Sequence, residues 1–141
     1  MSDPPKRPLI GVGVVVFKDD RVLLIRRAKA PRAGAWALPG GRQRLGETVR
    51  QTAAREVGEE TGVDVEVTAL LDVVDSLHRG EDGRIAYHYT LIDFLAEWRA
   101  GTPAAAGDAA EVTWADPQDL APYNLWDETV RVIGLGQARR R

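Results

Sequence analysis

The stretch from Gly41 to Val63 constrains this chain more than any other. A Gly-rich loop follows Leu38-Pro39, and the residues beyond it read as a helix, with Glu47-Thr48 at the start, no proline inside, and Gly62 as the stop. On that helix Glu56, Glu59 and Glu60 stand at i, i+3 and i+4. At about 3.6 residues per turn they share one face, within about 6 Å along the axis. Val49, Ala53 and Val57 make the adjoining apolar stripe, so the carboxylates border the core. Three like charges so placed repel one another and destabilise the helix. Binding a hard cation recovers that cost, and an all-oxygen donor set suits Mg²⁺ or Mn²⁺.

With 141 residues the chain is long enough for one domain with a proper core. The expected organisation is a flexible N-terminal arm over 1–8, a single domain over 9–138 and a basic tail over 139–141. A net charge of -2 argues against bulk nucleic-acid binding, which needs a basic face. The absence of cysteine excludes disulfides, thiolate nucleophiles and cysteine-ligated zinc. The first eight residues are polar and proline-rich, without the apolar centre of a signal peptide, and no run is long enough to span a membrane. The expected location is cytoplasmic.

Around the central stretch the pattern alternates strands and helices. Leu9 to Phe17 reads as a buried strand, and Arg21 to Arg27 returns from a turn at Lys18-Asp19-Asp20. Gly11 and Gly13 lie inside the first strand with no helix promptly after, so close packing explains them better than a dinucleotide fingerprint. Trp36 to Leu38 is a short strand leading to the glycines. Val63 to Ser76, Ile85 to Trp98 and Glu111 to Trp114 follow as strands, the second with Tyr87 and Tyr89 on one face and His88 and Thr90 on the other. Residues 101–110 read as a mobile small-residue loop. Asp116 to Leu120 reads as a helical turn and Leu125 to Ala138 as a last helix, weakened by Gly134 and Gly136. The class is α/β or α+β. Gly58, in mid-helix, has no evident purpose.

A carboxylate cluster beside glycines suits phosphate chemistry. A divalent metal held there neutralises phosphate oxygens and acidifies water, and the backbones of Gly40 and Gly41 allow close approach. Arg55, four residues before Glu59, is placed to orient it by a charge-assisted hydrogen bond, with Glu47 in reach of Arg55 or of a metal. Written out, the stretch is G-x5-E-x7-R-E-V-x-E-E-x-G-V, which resembles the Nudix box with every fixed position filled. Trp36-Ala37-Leu38-Pro39-Gly40-Gly41 resembles the lead-in to that box.

The resemblance implies an α/β Nudix fold, a curved mixed β-sheet sandwiched between helices, and hydrolysis of a nucleoside diphosphate linked to another moiety. It implies Glu56, Glu59 and Glu60 as metal ligands, the Gly41 carbonyl completing the shell, Glu56 or Glu60 as general base, and Arg55 in support. Glu111 resembles a position that supplies a further ligand or base in some members. Mg²⁺ is the implied metal, Mn²⁺ its substitute, and a homodimer the implied assembly. Substrate contacts are assigned to Trp36 for base stacking, to Arg26, Arg27 and Arg32 for phosphate or ribose, and to Asn124. Core packing accounts for most other aromatics. ADP-ribose or a similar nucleotide sugar is the expected substrate, although Leu77-His78-Arg79-Gly80 lacks a proline that ADP-ribose members often carry. The alternatives are a MutT-like hydrolase of nucleoside triphosphates, oxidised ones included, and a Nudix-fold nucleotide-sensing module without catalysis.

Overall fold

Val12, Val14 and Val16 point to one face of the first strand, and Val15 and Phe17 to the other. All five are buried, which marks this strand as the centre of a sheet covered on both sides. A computed structural model describes residues 5–30 and 32–140; the first half of the expected N-terminal arm, 1–4, lies outside them. The strands are β1 (Leu9–Lys18), β2 (Arg21–Arg27), β3 (Trp36–Ala37), β4 (Gly40–Arg42), β5 (Asp64–Arg79), β6 (Ile85–Ala100) and β7 (Ala109–Ala115). The helices are α1 (Val49–Thr61) and α2 (Asp127–Arg140), with a 3-10 turn at Ala121–Tyr123.

The sheet is mixed and runs β3-β2-β1-β6-β5, with β4 on β1 and β7 on β2. β1 pairs parallel with β6 and antiparallel with β2 and β4. Its two faces feed two cores. Val12, Val14 and Val16 pack with Ala53 and Val57 of α1 and Phe94 of β6. Val15 and Phe17 pack with Val132 and Ile133 of α2 and Leu95 of β6. The expected helix–sheet–helix sandwich is what the chain forms.

Several local expectations change. Gly40 to Gly41, read as loop, are strand: β4 pairs Gly11↔Arg42, Val12↔Gly41 and Gly13↔Gly40. The helical turn near Asp116 is displaced to Ala121–Tyr123, with only a hydrogen-bonded turn at Asp116–Asp119. The basic tail does not separate from the domain. Arg139 and Arg140 continue α2, and Arg140 bonds both carboxylate oxygens of Glu97, the Asp19 carbonyl and the face of Phe17; Arg141 lies outside the described residues. Gly136 has a packing role in α2. It lets the helix settle on the sheet, since a Cβ there would stand 3.2 Å from Val15 and 3.3 Å from Phe17.

The loop expected to be mobile is tied down. Ala104 N–H donates to the Thr61 carbonyl and Ala106 N–H to the Glu60 carbonyl. These are carbonyls that the last turn of α1 would otherwise leave without partners. The Trp98 indole also donates to the Gly101 carbonyl at 2.8 Å.

Candidate active site

α1 starts and stops where its sequence says. Thr48 is the N-cap: its hydroxyl accepts from Gln51 N–H at 3.1 Å, and its own N–H donates to the Gln51 side chain at 2.9 Å. That reciprocal pair is a capping box. Gly62 closes the helix at φ 73°, in the left-handed region where a Cβ is costly. Ala53 and Val57 then face the sheet, and this fixes the rotation of the acidic face.

The three glutamates differ sharply in exposure. Glu60 is buried, at 5%. The Glu56 side chain is 16% exposed and that of Glu59 48%. Glu60 accepts the Gly40 N–H at 2.8 Å, and Arg27 acts on it through charge. Burial pushes its carboxyl up to about 7, with the Gly40 bond opposing and the neighbouring Glu56 charge adding to the rise. Glu56 is also raised, mainly by burial, against the pull of Arg55. Gly41 lies against Glu56 so closely that a Cβ would fall 2.4–2.7 Å from its carboxyl atoms. Glycine at 41 therefore leaves the Glu56 carboxyl its present position, from which a Cβ would displace it.

Arg55 is the hub of the charged network. Its Nε and Nη2 grip Glu47 at 2.6 and 3.0 Å, its Nη1 reaches Glu56 at 2.7 Å and Glu59 at 3.2 Å, and Nη2 also donates to the Arg42 carbonyl. Both Arg55 and Glu47 are largely buried. The Arg55 hydrogen bond, helped by Thr52, holds the Glu47 carboxyl down at about 2, and the same partner raises Arg55 above its ordinary value. Glu47 accordingly reaches Arg55.

Not every predicted residue joins this group. Among the described residues no three carboxylate or imidazole side chains converge on one point; Glu56 and Glu60 are neighbours, while Glu59 is turned to Arg55 and Arg44. Glu111 is bound to Arg26 at 2.8 Å, and Arg26 also donates to the Gly34 carbonyl. Arg27 acts on Glu60 through its charge. Trp36 packs with the α2-side core, edge-on to Tyr123 at 5.3 Å and 80°. The helix carrying the glutamates packs on the opposite face. Asn124 is exposed at φ 47° and closes the 3-10 turn beside Tyr123. Arg32 is exposed, at φ 60°.

Two residues were not foreseen. Asp108 raises Glu60 through its charge. It is bound there by Lys29 at 2.9 Å and by its own carbonyl to Ala28 N–H. No spacing rule connects it to the helix, because the loop before β7 brings it there. Asp93, on β6, is 5% exposed and held up at about 6, chiefly by burial. Its carboxylate occupies the space over Gly13, where a Cβ would come within 2.3 Å.

The donor set fits a hard divalent cation. Glu56 and Glu60 are neighbouring, partly dehydrated carboxylates, and Glu59 stands one helical step away. Mg²⁺ is commonly held by one or two protein carboxylates together with substrate phosphates.

Comparisons with known proteins point to one family. The NUDIX domain model matches residues 7–133. An ADP-ribose pyrophosphatase of Methanocaldococcus jannaschii is 37% identical over 113 residues, covering 80% of this chain and 64% of that protein. A MutT-like protein of Streptomyces ambofaciens is 35% identical over 120 residues, covering 85% and 71%. The chain thus spans about two thirds of the length of these relatives. Among solved structures, a MutT NUDIX hydrolase from Burkholderia pseudomallei superposes with a TM-score of 0.79 at 32% identity, covering 92% of this chain and 98% of that one.

Proposed function

The chain belongs to the NUDIX domain family, and from that premise we propose that it is a divalent-metal-dependent hydrolase of a nucleoside diphosphate linked to a second moiety, with ADP-ribose or a similar nucleotide sugar as substrate. The observation that carries this reading is Glu60. A carboxylate buried beside a second carboxylate, hydrogen-bonded by a backbone N–H and still held up at about 7 against the pull of Arg27, is costly unless a cation joins it. The similarity to an ADP-ribose pyrophosphatase supports the substrate class.

In this reading Glu56, Glu59 and Glu60, with the Gly41 carbonyl, hold Mg²⁺, for which Mn²⁺ substitutes. Bound there, the cation neutralises phosphate charge and acidifies water. Glu60 or Glu56 takes the proton of the attacking water, a role suited to a carboxyl raised toward neutrality. Arg55 holds Glu56 and Glu59 in register through its buried anchor on Glu47. The side-chain-free backbone at Gly40 and Gly41 admits the phosphates. Water adds to phosphorus, one P–O bond of the anhydride breaks, and ADP-ribose yields AMP and ribose 5-phosphate.

Trp36 is the proposed base-stacking residue, and Arg26 and Arg27 the proposed phosphate or ribose contacts. A MutT-like triphosphate hydrolase is the second reading. It is favoured by the Trp36–Tyr123 contact, which sets Asn124 next in sequence to a residue touching the proposed stacking ring. Its products would be a nucleoside monophosphate and pyrophosphate.

A screen of ADP-ribose, other nucleotide sugars, dinucleoside polyphosphates and triphosphates, with Mg²⁺ or Mn²⁺ and with chelator, decides between them. Turnover that survives excess chelator would refute the metal-dependent reading. A dominant preference for triphosphates would refute the nucleotide-sugar assignment.

A further inference from the structure

The guanidinium groups around the carboxylates differ in how firmly they are held. Arg55 has nothing left to give: its three side-chain nitrogens make five contacts, to Glu47, Glu56, Glu59 and the Arg42 carbonyl, and a guanidinium has about five N–H donors. Arg26 is held by Glu111 and the Gly34 carbonyl. Arg44 is different. Its side chain is 64% exposed and, among the described residues, makes one ion pair, with the half-exposed Glu59, at 3.5 Å. An exposed pair at that length holds weakly.

The base of this side chain is nevertheless fixed. Arg44 N–H donates to Glu47, whose other bonds go to Arg55 and Thr52. The turn is completed by Glu47 N–H on the Arg44 carbonyl and by Gly46 at φ 86°. The Arg44 charge also acts on Glu56. A cation anchored at its root, loose at its tip and within electrostatic reach of both Glu56 and Glu59 is placed for a ligand that arrives at those carboxylates.

We infer that Arg44 is a substrate-phosphate contact: when Glu59 turns to a bound divalent cation, the Arg44 guanidinium is released and takes phosphate oxygens of the nucleotide. This rests on the reading of the site as a metal-dependent phosphoanhydride hydrolase. Its planar fork matches a phosphate in two hydrogen bonds, which a lysine cannot reproduce. The Arg44–Glu59 pair is then an exchangeable contact of the metal-free protein.

The inference makes opposite demands on metal and substrate, which a surface pair does not. Removing the guanidinium frees Glu59 and leaves the cluster more negative, so a cation should bind as well or better. The substrate loses a charge-assisted contact and should bind worse. The test is Arg44→Gln, with Mn²⁺ affinity measured by calorimetry without substrate, beside steady-state kinetics on ADP-ribose or whichever phosphoanhydride the wild type cleaves.

The expected result is Mn²⁺ affinity unchanged or up to about threefold tighter, KM raised at least about tenfold, and kcat within about threefold. Arg44→Lys should recover part of the KM. An unmoved KM with normal turnover would overturn the inference, as would Mn²⁺ affinity that falls together with substrate affinity. A wild-type protein that cleaves no phosphoanhydride would instead overturn the underlying reading, and this one with it.

Discussion

Glu60→Gln separates what Glu60 costs the fold from what it gives the chemistry. In the folded protein burial lifts the carboxyl from 4.5 to about 7. Below pH 4.5 it is protonated in both folded and unfolded chains and costs nothing. Between there and pH 7 folding must keep a proton that the unfolded chain releases, so stability falls as pH rises. Above pH 7 the loss is complete. A rise from 4.5 to about 7, at about 1.4 kcal/mol per unit, puts it on the order of 3 kcal/mol.

Glutamine keeps the shape and an oxygen for the Gly40 N–H but never ionises. The metal-free variant should therefore match the wild type near pH 4.5 and exceed it by up to that amount at pH 8. For a chain of this size that corresponds to roughly 10 °C in Tm. Added Mg²⁺ should raise the wild-type Tm far more than the variant's, and turnover should fall at least about a hundredfold. The assay is thermal unfolding from pH 4.5 to 8.5, with and without Mg²⁺, beside the kinetics. A metal-free variant less stable than wild type at pH 8, or a difference that does not change with pH, would refute the argument. Near-normal turnover would refute the role given to Glu60.

Substitutions at three further positions test neighbouring claims. Gly41→Ala drives a Cβ into the Glu56 carboxyl; turnover should drop at least about a hundredfold with only a modest loss of Tm, and kinetics with full activity would show that β4 can yield. Gly58→Ala sits on an exposed helix face where a Cβ meets nothing within 4 Å; denaturant unfolding should show a gain of about 0.5–1 kcal/mol, and a loss would mean that the glycine serves a purpose absent from this structure. Thr48→Ala removes the hydroxyl of the capping box and should cost about 1 kcal/mol, readable in the same unfolding experiment, whereas Thr48→Ser should cost little.

What could be read from the chain followed the range of the interactions involved. α1 was legible because its cap, its apolar stripe and its stop are local. The order of exposure, Glu60 below Glu56 below Glu59, follows from where Ala53 and Val57 point. The partner of Glu60 was not legible. Gly40 N–H comes from a three-residue strand held by pairing with β1, and three residues carry no periodicity. Trp36 was rightly placed in a short strand, but which core it joins depends on its pairing with Arg26 of β2, a partner ten residues away in sequence. Asp108 and Arg140 owe their roles to partners that only the folded chain brings near. Asp93 breaks the apolar run of β6, and a single polar residue in a buried strand does not say what stands opposite; here it is the bare backbone of Gly13.

The loop before β7 has a bearing on how this chain can vary. Surface connections commonly tolerate added or deleted residues. This one does not lie free: Ala104 and Ala106 close the end of α1, and Asp108 is tied to Ala28 and Lys29. The axial position of Glu59 and Glu60 is thereby indexed to the length of a segment some forty residues downstream. A single inserted residue between Gly101 and Asp108 would leave both cores intact and still shift or unfasten the last turn of α1. Lineages of this chain should vary freely at the Gly80–Arg84 hairpin tip and hold the 101–108 connection to a fixed count.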